Sequence, residues 1–297
     1  MSLSSSNITF ATLLILLLLP KSYSSKTIES NSLLPQVDVY LLEFPLNLEY
    51  LEAEFFLYGA YGYGLNKIAP NLTKGGPTPI GAKRGKMDDF TRDVIKQFAL
   101  QEVGHLRAIQ STVKGFPRPL LNLSAESFAK VVDSAFEKQL VPSFDPYRSG
   151  VNFLLASYLI PYVGLTGYVG ASPKLQDPKS KRAKMQLFVH VLYEHAHKKV
   201  KPYGITVAEF TNRFSQLRNK LGNAGVKDEG LVVVESEGAE GSITGNVLVG
   251  DKFSVAFDRT PEEILRIVYG SGDEHKPGGF YPKGADGHIA KSHLPKA

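Results

Sequence analysis

Cysteine and tryptophan are both missing from this chain of 297 residues. Without thiols it forms no disulfide, no thiolate metal site and no cysteine nucleophile, so any chemistry must rest on oxygen and nitrogen side chains. Concentrated runs of positive charge are missing too. The 34 Lys and Arg against 29 Asp and Glu give a formal net charge of +5, spread along the chain. That excludes the dense basic patch by which nucleic-acid binders hold phosphates, and no nucleic-acid partner is expected. There is no internal repeat and no low-complexity run. What is present is a hydrophobic share of 43% with 17 Phe and 14 Tyr, enough to bury a sizeable core.

Residues 8–19 form an apolar run that Pro20 ends, followed by small polar residues. This reads as a secretory signal peptide over residues 1–25, too short to span a bilayer, and predicts a secreted protein. No later stretch reads as long and apolar enough to cross a membrane, so no membrane span is expected. Asn71-Leu72-Thr73 and Asn122-Leu123-Ser124 are sequons, which makes Asn71 and Asn122 the expected glycosylation sites.

The mature chain then reads mainly as helix. A first helix is expected over residues 36–65, with Asp38 as its cap and Pro45 kinking it or marking its true start. Glu49 and Glu52 share its inward face with Phe56, while Glu54 falls elsewhere on the wheel and reads as solvated. A second helix over residues 88–113, capped by Asp88 or Asp89, carries Glu102 and His105. Three residues apart on a helix, these side chains converge on one point beside the axis. Phe98, Leu106 and Ile109 place the pair on the apolar side, facing a bundle interior. Residues 151–169 form an apolar third helix with Pro161 as its kink and no acidic residue. A fourth, residues 180–199, ends in Glu194 and His197, a second Glu-x-x-His that reads first as a polar helix end facing solvent. Thr206 caps one further helix, over residues 207–221.

Composition shifts near Gly222. Residues 231–234, 246–249 and 253–257 read as strands, the last two as a hairpin, and Thr260-Pro261-Glu262-Glu263 opens a short helix. The domain reading is a helical bundle over residues 26–225 and an α+β or irregular C-terminal extension over residues 226–297.

Several blocks carry a resemblance: Asn47-Leu48-Glu49-Tyr50-Leu51-Glu52, Gln101-Glu102-Val103-Gly104-His105, Gly164-Leu165-Thr166-Gly167-Tyr168, Pro202-Tyr203-Gly204-Ile205-Thr206 and Gly270-Ser271-Gly272-Asp273-Glu274-His275. In these the mature chain resembles the plant desiccation-related proteins, and through them ferritin-like four-helix bundles. The resemblance implies an exported, stress-associated protein. It matches Glu49 to the metal carboxylate of the first helix and Glu102 with His105 to the ligand pair of the second. The chain departs from that pattern twice. Its third helix offers Ile160-Pro161-Tyr162 where a carboxylate is usual. Its fourth lacks a block found in relatives, which sets Glu194 and His197 at the far end of that helix.

Two functions follow as expectations. The first is a protective, non-catalytic protein with a degenerate or weak metal site. The alternative is a redox protein in which Glu49, Glu52, Glu102 and His105, with Glu194 and His197 as lesser candidates, hold iron or manganese to oxidise the metal or remove peroxide. The balance leans away from an enzyme, because a two-metal centre needs carboxylates from more than two helices. The lysine-rich face of residues 179–201 suits an acidic cell-wall polysaccharide as partner; oligomeric state is unreadable.

Overall fold

The computed structural model describes residues 34–176, 192–247 and 250–295. The expected signal peptide and most of the expected fourth helix lie outside the described residues.

Pro45 divides the first expected helix. α1 (Gln36–Glu43) ends before it and α2 (Leu46–Tyr61) starts after it, since proline cannot donate into a preceding turn but suits the start of a helix. Asp38 does not cap α1: Pro35 holds that position. Buried instead, Asp38 accepts from the Gln176 backbone N–H with both oxygens, at 2.9 and 3.1 Å. Gly62 closes α2 in the left-handed conformation, φ 84°, which needs a residue without Cβ. α3 (Leu65–Ile68) is a single turn.

The long helix α4 (Asp89–Thr112) begins at Asp88, whose side chain accepts from Thr91 N–H at 2.9 Å. α5 (Ala125–Phe136) starts from Ser124. The third bundle helix comes in two parts, α6 (Gly150–Leu159) and α7 (Pro161–Ala171), broken at Pro161. With the turn that follows, Gly150–Lys174 has the length and composition of a membrane span, contrary to the sequence reading. Its apolar window is 72% buried inside the protein. That is how a core helix hides such a surface.

Further along the chain, β1 (Lys199–Val200) and β2 (Ile205–Thr206) pair antiparallel. Thr206 caps α8 (Val207–Gly222). A complete capping box of Thr260 and Glu263 opens α9 (Pro261–Tyr269), and α10 (His288–His293) closes the described chain. The expected strands of the extension are reduced to isolated bridges, Val232 to Gly245 and Gly250 to Ala256; Leu248 and Val249 lie outside the described residues. Val234, Ile243, Phe253 and Val255 are exposed. With no layer to bury their apolar face, such segments do not hold a regular ladder.

α2 is the centre of the bundle. It packs most extensively on α4 and also meets α7. Phe55 stacks on Phe153 of α6, ring centroids 4.3 Å apart and planes 3° from parallel. Gly59 allows this, because a Cβ there would overlap the Phe153 ring. The C-terminal segment braces the start of the same helix. Asn47 Nδ2 donates to Asp286 O and Asn47 Oδ1 accepts from Asp286 N–H, both at 2.8 Å. Buried Tyr281 donates its hydroxyl to Asn47 O at 2.8 Å. On the other side, buried Arg218 of α8 forks onto Asp228 and also donates to the Tyr158 carbonyl of α6 at 3.0 Å.

Candidate metal centre

α2 carries Glu49 and Glu52 one turn apart, and α4 carries Glu102 and His105 at the same spacing. The two helices lie side by side, so three of these groups meet. His105 Nδ1 stands 2.7 Å from Glu102 Oε2 and 3.0 Å from Glu49 Oε2. One ligand atom from each of Glu49, Glu102 and His105 lies within 4.8 Å of the other two. Glu52 lies outside that trio but within reach of its charges, and both its carboxylate oxygens are buried without a hydrogen-bond partner. From the third helix, Tyr168 of α7 donates its hydroxyl to Glu49 Oε1 at 2.5 Å.

Burial is the leading influence on every member. It pushes the Glu52 carboxyl well up, and the neighbouring Glu102 and Glu49 charges push it further. Burial and then the Glu49 charge raise Glu102 to about 8. For His105 burial disfavours the cation, but hydrogen bonds and charges from Glu102 and Glu49 outweigh it and lift the imidazolium to about 11. Burial works against ionised Glu49 as well, yet His105 holds its carboxyl below the ordinary range. The cluster thus favours the protonated forms of Glu52, Glu102 and His105 and the ionised form of Glu49. The His105 ring nitrogen sits between the Glu49 and Glu102 carboxyl groups, and their negative charge favours a cation there.

The residues fit one ion. Iron and manganese take carboxylate and imidazole ligands, and ligands must shed their protons to bind, so loading this cluster releases protons. Glu52 gives the sharpest sign of fit. A buried acid without a partner costs about 1–3 kcal/mol, and a cation in its reach offsets that cost. A second ion would need carboxylates from further helices, and here α7 presents the phenol of Tyr168.

Residues 37–190 match the family model of the ferritin-like domain, a span that holds α1 to α7 and the whole cluster. Desiccation-related protein PCC13-62 of Craterostigma plantagineum is 57% identical over 264 residues, 86% of this chain and 84% of that protein. The chain belongs to the plant desiccation-related, ferritin-like family. A further relative, the ferritin-like catalase Nec2 of Nesocodon mauritianus, is 48% identical over 288 residues, 93% of this chain and 91% of its own. No solved structure matches.

In this desiccation-related chain the other sequence candidates lie apart from the centre. Glu194 and His197 are exposed on the short turn before β1, and neither belongs to a metal-capable group among the described residues. Glu54, read as solvated, is fully buried in an ion pair with Arg118 and accepts from Leu65 N–H. The wheel misplaced it because α2 has protein on every side, and the loop carrying Arg118 covers that face. Tyr168 is a site residue that the carboxylate and histidine pattern does not contain; its spacing from Gly164 and Pro161 along one helical face is the available sign. Asn71 is exposed and Asn122 half-buried, its Oδ1 accepting from Ser124 N–H at 3.2 Å. Of the lysine-rich face, Lys198, Lys199 and Lys201 are exposed, while Lys179, Lys181, Arg182 and Lys184 lie outside the described residues.

Proposed function

We propose that this protein is an exported stress protein whose bundle core holds one iron or manganese ion and uses it to remove peroxide. The observation that carries the reading is the Glu52 carboxyl, buried with both oxygens unpartnered beside Glu49, Glu102 and His105. A purely structural core has no use for such a group. The name of the relative Nec2, a ferritin-like catalase, supports peroxide as the substrate.

Bound at these residues, the metal supplies electron exchange, by which one peroxide is reduced to two waters as another is oxidised to dioxygen. The chain's own part is to hold and shield it. Glu49 and Glu102 provide negative charge from facing helices, and His105 a nitrogen ligand once its proton leaves. Tyr168 keeps Glu49 turned and supplies a hydroxyl proton at the edge of the site. Glu49, Glu52 and Glu102 are buried, which strengthens each of these interactions.

A second reading keeps one observation of its own. Tyr168 meets Glu49 where a further carboxylate would be needed for a two-metal centre, which favours a protective protein with a weak site and no turnover. Elemental analysis of the purified mature protein, with oxygen evolution from added peroxide, separates the two. Bound iron or manganese with oxygen release supports the first; metal absent, or metal without oxygen release, sinks it. Export rests on the apolar run of residues 8–19, and N-terminal sequencing of extracellular protein tests it. A chain still starting at Met1 would remove it.

A further inference from the structure

Two histidines of the extension take no part in the core. His275 lies in the loop after α9 and His293 at the end of α10, and their rings meet edge to face, centroids 5.6 Å apart at 78°. Glu274 joins them: one ligand atom from each of Glu274, His275 and His293 lies within 4.8 Å of the others. We infer that these three residues form a second metal site, for a single divalent transition ion of the zinc class, which clips α10 to the loop after α9.

The donor set suits that class. Two imidazoles and one carboxylate are a common partial shell for tetrahedral zinc, with water as the fourth ligand. Bonds of about 2.0–2.2 Å in tetrahedral geometry put ligand atoms roughly 3.3 Å apart. Side-chain rotation at a half-open surface can close the difference.

The neighbours of each ligand are placed as supports. Arg266 of α9 forks onto Glu274 at 2.6 and 3.0 Å and also donates to Gly222 O at 3.1 Å, which fixes the carboxylate plane. Each carboxylate oxygen keeps a second lone pair for a metal. Asp273 Oδ1 lies 3.2 Å from His275 Nδ1, the carboxylate–imidazole arrangement that orients a metal-binding ring and leaves its other nitrogen free. Glu262 Oε1 stands 3.4 Å from His293 Nε2. Glu262 interacts with the charges of His293 and Lys174, and Arg266 with those of Glu274, Glu262 and Glu263. The bland account, two rings packed edge to face beside an ion pair, does not explain why three ligand atoms meet within 4.8 Å.

The site differs from the core centre in place and in preferred ion. Its effect falls on the C-terminal segment, whose Asp286 holds Asn47 at the head of α2.

The test is a calorimetric titration with zinc chloride of the mature, chelator-stripped protein carrying Glu102→Ala and His105→Ala, which silence the core. One zinc per chain is expected, with a raised thermal midpoint. Saturable binding should vanish when His275→Ala or His293→Ala is added, and Asp273→Asn should weaken it about 10–100-fold. If the core substitutions unfold the chain, the same subtraction is read in the wild-type background as one ion fewer in His293→Ala. Binding that survives both histidine substitutions, or no saturable zinc in the parent, overturns the proposal. Loss of the core ion alone would leave this titration unchanged.

Discussion

The Tyr168 hydroxyl on α7 and Glu49 Oε1 on α2 are joined by a hydrogen bond of 2.5 Å. Through it the third bundle helix reaches the candidate metal ligands by a donor instead of a carboxylate. Tyr168→Phe removes that donor and leaves the ligand in place. Metal affinity should drop about 10–100-fold, as when a partner behind a ligand is lost. A titration with manganese or ferrous iron reads this, and an unchanged affinity would make Tyr168 a packing residue only.

Glu52 should show opposite signs in two assays. Exchanged for the similarly sized Met, it no longer burdens the metal-free core with an unpartnered acid. Stability without metal should rise by about 1–3 kcal/mol, while metal content falls. Urea unfolding of chelator-treated protein gives the first quantity and elemental analysis the second. A variant that is less stable without metal would mean that Glu52 has a protein partner and no vacancy to fill.

Asn47 ties the C-terminal segment to α2, two residues before Glu49, through paired bonds to Asp286. Asn47→Ala strands both backbone groups of Asp286 in a half-buried place and should cost about 1–3 kcal/mol. Because the anchor sits at the same end of α2 as Glu49, weaker metal binding should accompany it. Thermal melting with and without metal checks the pair; full stability in the variant would show the extension to be a passenger.

Glu229 gives a pH dependence with a definite sign. Burial first, then the charges of Glu237, Asp251 and Asp228, raise its carboxyl to about 7. The unfolded chain ionises it near the ordinary glutamate value of about 4.3. Folding is therefore opposed as pH climbs: this contribution is absent below about 4.3, grows between there and about 7, and is constant above. The difference in thermal midpoint between wild type and Glu229→Gln should widen across that window in favour of the variant. A flat difference would contradict the shift.

The sequence carried the fold well where local chemistry and burial agree. The caps at Asp88, Thr206 and Thr260, the break at Pro45 and the kink at Pro161 all stand as read, because each follows from a few neighbouring residues. The pair Glu102 and His105 was visible from helical spacing alone. What could not be seen was anything decided by a distant partner. Glu54 needs Arg118 from a loop, Asp38 needs the amide of Gln176, and Tyr168 matters only because another helix brings Glu49 to it. The strand-like valines of the extension mislead for the same reason: β-propensity describes a residue's fitness for a sheet, and no second layer is there to receive it.

Every residue of α2 from Leu46 to Leu57 is buried, and this has a consequence for how the molecule breathes. A helix with one wet side can peel away and return while the rest of the domain stands. α2 has no such side, and lifting it out would drag Glu49, Glu52 and Glu54 from their surroundings at once. Its amide protons should therefore exchange with solvent only when the whole domain opens, so the slowest-exchanging protons in the protein should lie beside the proposed metal.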